Sequence, residues 1–232
     1  MDNIIKYIYI YILMRIDTKN KIIYLANPKT GSTSLRKMMD NHNDTDFLNN
    51  LKKNNIYHDH WSINMYKIHI NNCIKITDVN LSEYFSFTTI RNPWNRVVSG
   101  FKYTKSDKNG YPWYHNKYDK SSANSYTFKE FINDLHDKDY WCGIGIPNAS
   151  YFCFDENNNQ IITKIYPIEL LTKEIIQKDI IKYTGIHYDI PKIEHLNSTK
   201  TVNYRDFYTE QWMIDKVSEV YKKDIELGNY KF

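Results

Sequence analysis

The sequence predicts an α/β fold in which helices cover a central parallel sheet. Two segments, KIIYLA at 21–26 and YFSFTTI at 84–90, have the apolar, β-branched and aromatic content of buried strands. Each is followed at once by a short turn and then by a helical pattern. Strands that alternate with helices favour a parallel sheet, because the connecting helices must pack on its faces.

The first strand-turn-helix unit is predicted from Lys21 to about Asn41. Residues 21–26 form the strand, and the turn 27–31 (NPKTG) breaks it. Ser32 or Thr33 can cap the helix that follows.

The second unit begins with the strand Tyr84–Ile90. Asn92 is the expected N-cap of the next helix, with Pro93 at its first position, where a missing N–H costs nothing. The buried face of this helix is predicted to carry four apolar side chains: Trp94, Val97, Val98 and Phe101.

The remaining elements follow the same rules. We expect Thr127 to cap a short helix and residues 160–166 to form a strand. A helix is predicted from Thr172 to Tyr183, with Gly185 as its C-terminal glycine. A last helix is predicted over 209–227, stopped by Gly228. Its inward residues are expected to be Met213, Val217, Val220 and Tyr221.

Composition narrows the function classes. The 232 residues, 41% of them apolar, suffice for one domain with a sizeable core. A net charge of +4 is too small for a dedicated nucleic-acid binder and suits a small anionic ligand better. Three cysteines without a CxxC pair suggest neither disulfides nor a cysteine zinc site, so we expect a reducing compartment.

The segment 4–14, IIKYIYIYILM, is the only membrane candidate. It is about half as long as the roughly 20 residues that a spanning helix needs, and it lacks a small-residue cleavage site. We therefore expect residues 1–20 to be an N-terminal extension or edge strand and residues 21–232 to be one domain. The protein is expected to be soluble, in the cytoplasm or in a host cell, without stable membrane insertion.

The turn before the first helix has the chemistry of an anion site. A tight turn at a helix N-terminus presents unpaired N–H groups and the positive end of the helix dipole. Gly31 permits close approach, and Lys29 supplies a full charge. Hydroxyl donors come from Thr30, Ser32, Thr33 and Ser34. The Walker A pattern is absent because the lysine precedes the glycine. An ordinary turn with hydroxyl caps would give the same local sequence.

A second anion site is predicted after the second strand. Arg91 lies at its carboxyl end, where open parallel sheets bind ligands, and Ser99 lies eight residues on. An arginine fork and a hydroxyl can hold a second phosphate of the same ligand. A surface ion pair for Arg91 and a helix contact for Ser99 are the simpler alternatives. For Arg96 we favour a structural ion pair.

The segments PKTGSTSLR and IRNPWNRVVSGF, each after a strand, resemble the two cofactor motifs of sulfotransferases that use 3′-phosphoadenosine 5′-phosphosulfate. The likeness is to the Golgi carbohydrate type and its microbial and viral relatives, and a segment from HLNSTK to the last helix extends it. It implies a P-loop-like sulfotransferase fold, 3′,5′-bisphosphoadenosine as product, and no metal. It gives the 5′-phosphosulfate role to Lys29, Thr30, Gly31, Ser32, Thr33 and Ser34. The 3′-phosphate role falls on Arg91 and Ser99, and the resemblance implies that Asn197, Ser198 and Lys200 help to close the cofactor site.

The segment Tyr57–Trp61 (YHDHW) supplies a candidate base. It resembles the YHxH segment of uronyl 2-O-sulfotransferases, which implies that His60 is the base and His58 an acceptor-binding or orienting residue. A neutral histidine accepts a proton readily near pH 7. Lys29 is expected to neutralise charge on the leaving phosphate. A metal site, solvated loop histidines, or another base such as a carboxylate or His195 remain alternatives.

The expected acceptor is a hydroxyl group, and we expect a glycan to carry it. Trp113 and Tyr114 lie in a polar, turn-rich segment and could stack on sugar rings, or simply pack that segment down. Two other functions stay open: a small-molecule kinase of the P-loop type, and a non-catalytic nucleotide or glycan binder. Glu169 is expected to be structural.

Overall fold

The computed structural model describes residues 14–27, 29–42, 44, 46, 83–104, 127–135, 148, 150, 153, 154, 157–188, 190 and 203–232. Within these residues the chain forms one four-stranded sheet and six α-helices. The helices are α1 Ser32–Met39, α2 Pro93–Thr104, α3 Phe128–Asn133, α4 Lys173–Thr184, α5 Gln211–Val220 and α6 Lys222–Gly228.

The sheet is mostly parallel, as predicted. Its strands are β1 Met14–Asp17, β2 Ile22–Leu25, β3 Phe85–Ile90 and β4 Lys164–Pro167. They lie in the order β1-β2-β3-β4. The first pair is antiparallel, whereas β2, β3 and β4 run parallel. The carboxyl ends of β2, β3 and β4 therefore lie at one edge of the sheet.

Helices flank this sheet, and every residue of β2 and β3 is buried. One apolar cluster packs α1 and α4 against Tyr24, Phe85 and Phe87 of the sheet. A second cluster joins α2, α3 and α5, and contains the four α2 residues predicted to face inward. No helix in the described ranges is both long enough and apolar enough to cross a membrane.

Three predicted helix ends are confirmed. The Asn92 side chain accepts a hydrogen bond from the Asn95 N–H (3.1 Å), directly before α2. Thr127 caps α3 and forms a reciprocal capping box with Glu130. Gly185 ends α4 with φ of 72°, in the left-handed region that glycine adopts without strain.

The predicted start of the fourth strand is wrong. Gln160 pairs with Phe154 in an isolated antiparallel bridge instead of joining the sheet, and β4 begins at Lys164. The apolar pattern at 160–166 continues across this bridge, so hydrophobicity alone does not mark the boundary.

The last predicted helix is in fact two. Tyr221 leaves the helical conformation (φ −110°, ψ 27°) and separates α5 from α6. Gly228 is the final residue of α6, and Asn229, with φ of 49°, is its C-cap. Met213, Val217 and Tyr221 are fully buried as predicted, whereas Val220 is only partly buried.

The ion pair predicted for Arg96 is confirmed. Its Nη1 lies 3.2 Å from Oδ2 of Asp224 on α6, and both side chains are about 1% exposed. The second carboxylate oxygen of Asp224 accepts from the Ser150 N–H (2.8 Å). This pair connects α2 to α6. Because an unpaired buried charge is costly, Arg96 stays paired with Asp224 and is not assigned to ligand binding.

Candidate functional site

Polar side chains follow the carboxyl ends of three adjacent parallel strands. Lys29 comes after β2, Arg91 directly after β3, and Glu169 after β4, in the short 3₁₀ turn Ile168–Leu170. Ligands of open parallel sheets bind at this edge, because the loops that leave neighbouring strands converge there. Two positive groups and one negative group are thereby brought to one edge.

Arg91 connects the first two loops. Its Nη1 donates to the carbonyl oxygen of Lys29 (3.2 Å), and its Nη2 donates to Oδ1 of Asn95 (2.9 Å), one helical turn on. A guanidinium has five N–H donors. Within the described residues, three of them remain available for a ligand.

The two cationic groups affect each other. Burial and the positive charge of Arg91 lower the pKa of Lys29 to about 8. Burial also lowers the pKa of Arg91, while the carboxylate of Glu169 acts in the opposite direction. Because neither cation is fully solvated, a bound anion would interact with both more strongly than it would in water.

The backbone of the first loop is strained and tightly packed. Lys29 has φ of 63°, a left-handed conformation that is uncommon for a residue with a Cβ atom. Gly31 has φ of 78°, and a Cβ atom there would lie 3.0 Å from Cγ1 of Ile168. Backbone conformation and limited space therefore both favour glycine at position 31. Strain of this kind concentrates at functional sites.

A buried polar network fixes the loop to the sheet. The Thr30 hydroxyl donates to the carbonyl of Asn27 (2.8 Å), and the Thr89 hydroxyl donates to the carbonyl of Thr30 (3.1 Å). The Asn27 side chain donates to the carbonyl of Thr89 (2.9 Å). The hydroxyl of Thr30 is thus used inside the protein, where it positions the loop.

The N-terminus of α1 differs from its prediction in a way that matters for binding. Its N-cap is Gly31, not Ser32 or Thr33, and no side chain caps the helix. Gly31 has no side chain to offer, and Ser32 is already the first helical residue. The Ser34 N–H donates to the carbonyl of Gly31 (3.2 Å), whereas the N–H groups of Ser32 and Thr33, at the first two helical positions, have no acceptor within the helix itself. An anion could accept hydrogen bonds from these two N–H groups and from the hydroxyl of the partly buried Ser32.

Ser99 is less closely tied to the site. It is partly buried on α2, and its side chain has no hydrogen-bond partner among the described residues. No contact in the described part of the chain brings it to Arg91. Its role as a phosphate ligand remains a prediction.

Glu169 has a more specific environment than expected. Its Oε1 accepts from the backbone N–H of Asn92 (2.8 Å), and its Oε2 accepts from the hydroxyl of Tyr230 (3.0 Å). The Asn92 side chain in turn donates to the carbonyl of Lys231 (3.2 Å). The turn that carries Arg91 is therefore held from two sides.

The other candidate residues lie outside the described ranges. They are His58, His60, Trp113, Tyr114, Asn197, Ser198 and Lys200. Among the described residues, no group of three or more His, Cys, Asp or Glu side chains could hold a metal ion.

The sequence analysis did not identify three residues whose hydrogen bonds hold the loops of the site in place. Thr89, Asn27 and Asn95 each make a hydrogen bond that fixes a loop. Two signals pointed to them. Thr88 and Thr89 are polar residues near the carboxyl end of a buried strand, and Asn95 lies four residues after Arg91 on a helix.

Comparison with known proteins identifies the family. The family model described as "Sulfotransferase family" matches residues 13–231, which is nearly the whole chain. Searches of curated proteins and of solved structures returned no match. The chain therefore belongs to the sulfotransferase family of transferases.

Proposed function

We propose that this protein transfers the sulfuryl group of 3′-phosphoadenosine 5′-phosphosulfate to a hydroxyl group of a carbohydrate. The observation that carries the proposal is the contact between Arg91 and the carbonyl oxygen of Lys29. This hydrogen bond joins the loops that follow two adjacent strands. It therefore supports the binding of one ligand that carries two anionic groups, one held by each loop.

The available groups suit that donor. Phosphate and sulfate oxygens are recognised by lysine, arginine, hydroxyl and backbone N–H donors, all of which are present here. Lys29, the backbone of Thr30 and Gly31, and residues 32–34 would hold the 5′-phosphosulfate. Arg91 and Ser99 would hold the 3′-phosphate, and Ser198 and Lys200 would help to close the cofactor site. This scheme uses no metal ion.

In the proposed sulfuryl transfer the protein mainly positions the reactants and stabilises charge. The acceptor oxygen forms a bond to sulfur while the bond from sulfur to the bridging phosphate oxygen breaks, and the electron pair stays on the phosphate. Lys29 is suited to stabilise the charge that builds on that oxygen, because it is partly desolvated. The acceptor proton goes to a base, for which we propose His60 on the strength of the YHDHW resemblance.

A carbohydrate acceptor rests on the same resemblance. His58 would contact or orient the acceptor, and Trp113 and Tyr114 would stack on sugar rings. A screen of glycans, phenols and tyrosyl peptides with radiolabelled donor identifies the acceptor class. Transfer to phenols or tyrosyl peptides alone would exclude a carbohydrate acceptor while leaving the donor site intact.

A P-loop kinase is the second candidate, and calorimetry separates the two. We expect 3′,5′-bisphosphoadenosine to bind at least about tenfold more tightly than ATP, or roughly 1.4 kcal/mol. The reason is that Arg91 recognises a 3′-phosphate, which ATP lacks. Equal affinities, or a magnesium-dependent preference for ATP, would contradict the proposal. A non-catalytic binder would show the same preference without turnover.

A further inference from the structure

We propose that Glu169 is a positioning residue that holds Arg91 in place for the donor's 3′-phosphate, and that Tyr230 in turn holds Glu169. The inference rests on the proposed function, because it concerns the ligand of the same site. It assigns a binding role to a carboxylate at an anion site, where a negative charge by itself works against the ligand.

The contacts are arranged in series. The N–H of Asn92, the residue after Arg91, donates to one oxygen of Glu169 (2.8 Å), which fixes the backbone that carries the arginine. The Tyr230 hydroxyl donates to the other oxygen (3.0 Å). Burial and the nearby carboxylate raise the pKa of Tyr230, so this hydroxyl keeps its proton and remains a donor.

Residues 229–232 are themselves anchored. The ring of Phe232 lies 5.7 Å from that of Trp94 and 5.2 Å from that of Tyr208, both edge to face. The carbonyl of Lys231 accepts from the Asn92 side chain (3.2 Å). This segment therefore provides a fixed support on which Glu169 can act.

Positioning and simple charge predict opposite results. If Glu169 were only a nearby charge, its removal would strengthen anion binding, because a repulsive interaction would disappear. If it positions Arg91, its removal weakens binding, and an uncharged side chain that keeps the hydrogen bonds restores it. The sign of the change therefore distinguishes the two roles.

The test is calorimetry of 3′,5′-bisphosphoadenosine and of 5′-AMP, which lacks the 3′-phosphate, on the full chain. For Glu169→Ala we expect about a tenfold loss for the bisphosphate and less than about a twofold change for 5′-AMP, since hydrogen bonds to charged groups are worth about that much. Glu169→Gln should stay within about threefold of the unmodified protein, because the amide can accept from Asn92 and donate to the Tyr230 oxygen.

Two further variants sharpen the design. Tyr230→Phe removes one hydroxyl and keeps the ring, so it should weaken bisphosphate binding by less than Glu169→Ala does. Glu226→Ala is the matched control, since Glu226 is an exposed carboxylate on α6 whose ion pair is with Lys222 (3.9 Å). It should leave both affinities unchanged.

A double-mutant cycle connects Glu169 to Arg91 directly. Once Arg91→Ala has removed the arginine, the added Glu169→Ala should cost no further bisphosphate affinity. Full additivity, or tighter binding by Glu169→Ala and Glu169→Gln alike, would overturn the positioning role. If the unmodified protein did not bind the bisphosphate at all, the proposed function itself would be wrong, which is a different result.

Discussion

At the scale of single residues, Lys29 carries the largest conflict between stability and binding. It is a partly buried cation in a left-handed backbone conformation, beside a second cation. Burial and the neighbouring Arg91 both disfavour the charged form of Lys29, and in the proposed complex a bound anion would offset them. Arg96 is also fully buried, and its ion pair with Asp224 stabilises the fold.

Lys29→Met should make the free protein more stable and abolish its stabilisation by 3′,5′-bisphosphoadenosine. The pKa of Lys29 is about 8 in the folded chain against 10.5 ordinarily, so its charge opposes folding fully below pH 8. Between pH 8 and 10.5 the unfolded chain binds more protons, and this cost disappears as the pH rises. We expect a gain on the order of 2 kcal/mol at pH 7 and almost none near pH 10.5.

Urea unfolding at both pH values measures this gain. Lys37→Met, which removes an exposed lysine from α1, is the control for the loss of one positive charge. If Lys29→Met is less stable at pH 7 than the unmodified protein, the charge of Lys29 does not destabilise the folded state, and this prediction is wrong.

At the scale of elements, the proposed donor site depends on the rigidity of the unit β2-loop-α1. The loop is fixed below by the Thr30, Asn27 and Thr89 network and bounded by Ile168 at the end of β4. The helix it leads into lacks a side-chain cap. A helix without a side-chain cap leaves backbone N–H donors that an anion can bind.

Gly31→Ala should destabilise the protein by more than Gly185→Ala does. Both glycines have positive φ, 78° and 72°, so both variants cost about 1 to 2 kcal/mol for the backbone. Only at position 31 would the new Cβ also meet Ile168, whereas nothing lies within 4 Å at position 185. Urea unfolding of both variants therefore isolates the contact with Ile168.

The affinity for the donor product is a second measurement on the Gly31→Ala and Gly185→Ala variants. Gly31→Ala should also weaken 3′,5′-bisphosphoadenosine binding, and Gly185→Ala should not. Equal stability losses in the two variants would mean that the loop moves freely away from Ile168, which contradicts a rigid loop.

At the scale of the whole molecule, local features and the parallel sheet were predictable from the sequence, whereas the partners of individual long-range contacts were not. Strands β2 and β3, the caps at Asn92 and Thr127, and the C-terminal Gly185 depend on neighbouring residues, whose patterns are visible in the chain. The contact of Asn92 with Lys231 joins residues 139 positions apart, and no local pattern records it.

The same limit applies to the candidate site. The sequence indicated Lys29, Gly31 and Arg91 because loops after strands have recognisable compositions. For Glu169 the sequence predicted only a structural role, because its partner Tyr230 lies 61 residues further along the chain. The break at Tyr221 was also missed, because apolar residues that pack on the same cluster continue from α5 into α6.

The central claim is that two loops at the ends of adjacent strands hold opposite ends of one doubly anionic nucleotide. A crystal structure of the complex with 3′,5′-bisphosphoadenosine tests it most directly. The account predicts the 5′-phosphate at Lys29 and the N-terminus of α1, with the 3′-phosphate on Arg91. A nucleotide bound elsewhere, or with its 3′-phosphate turned away from Arg91, would contradict it.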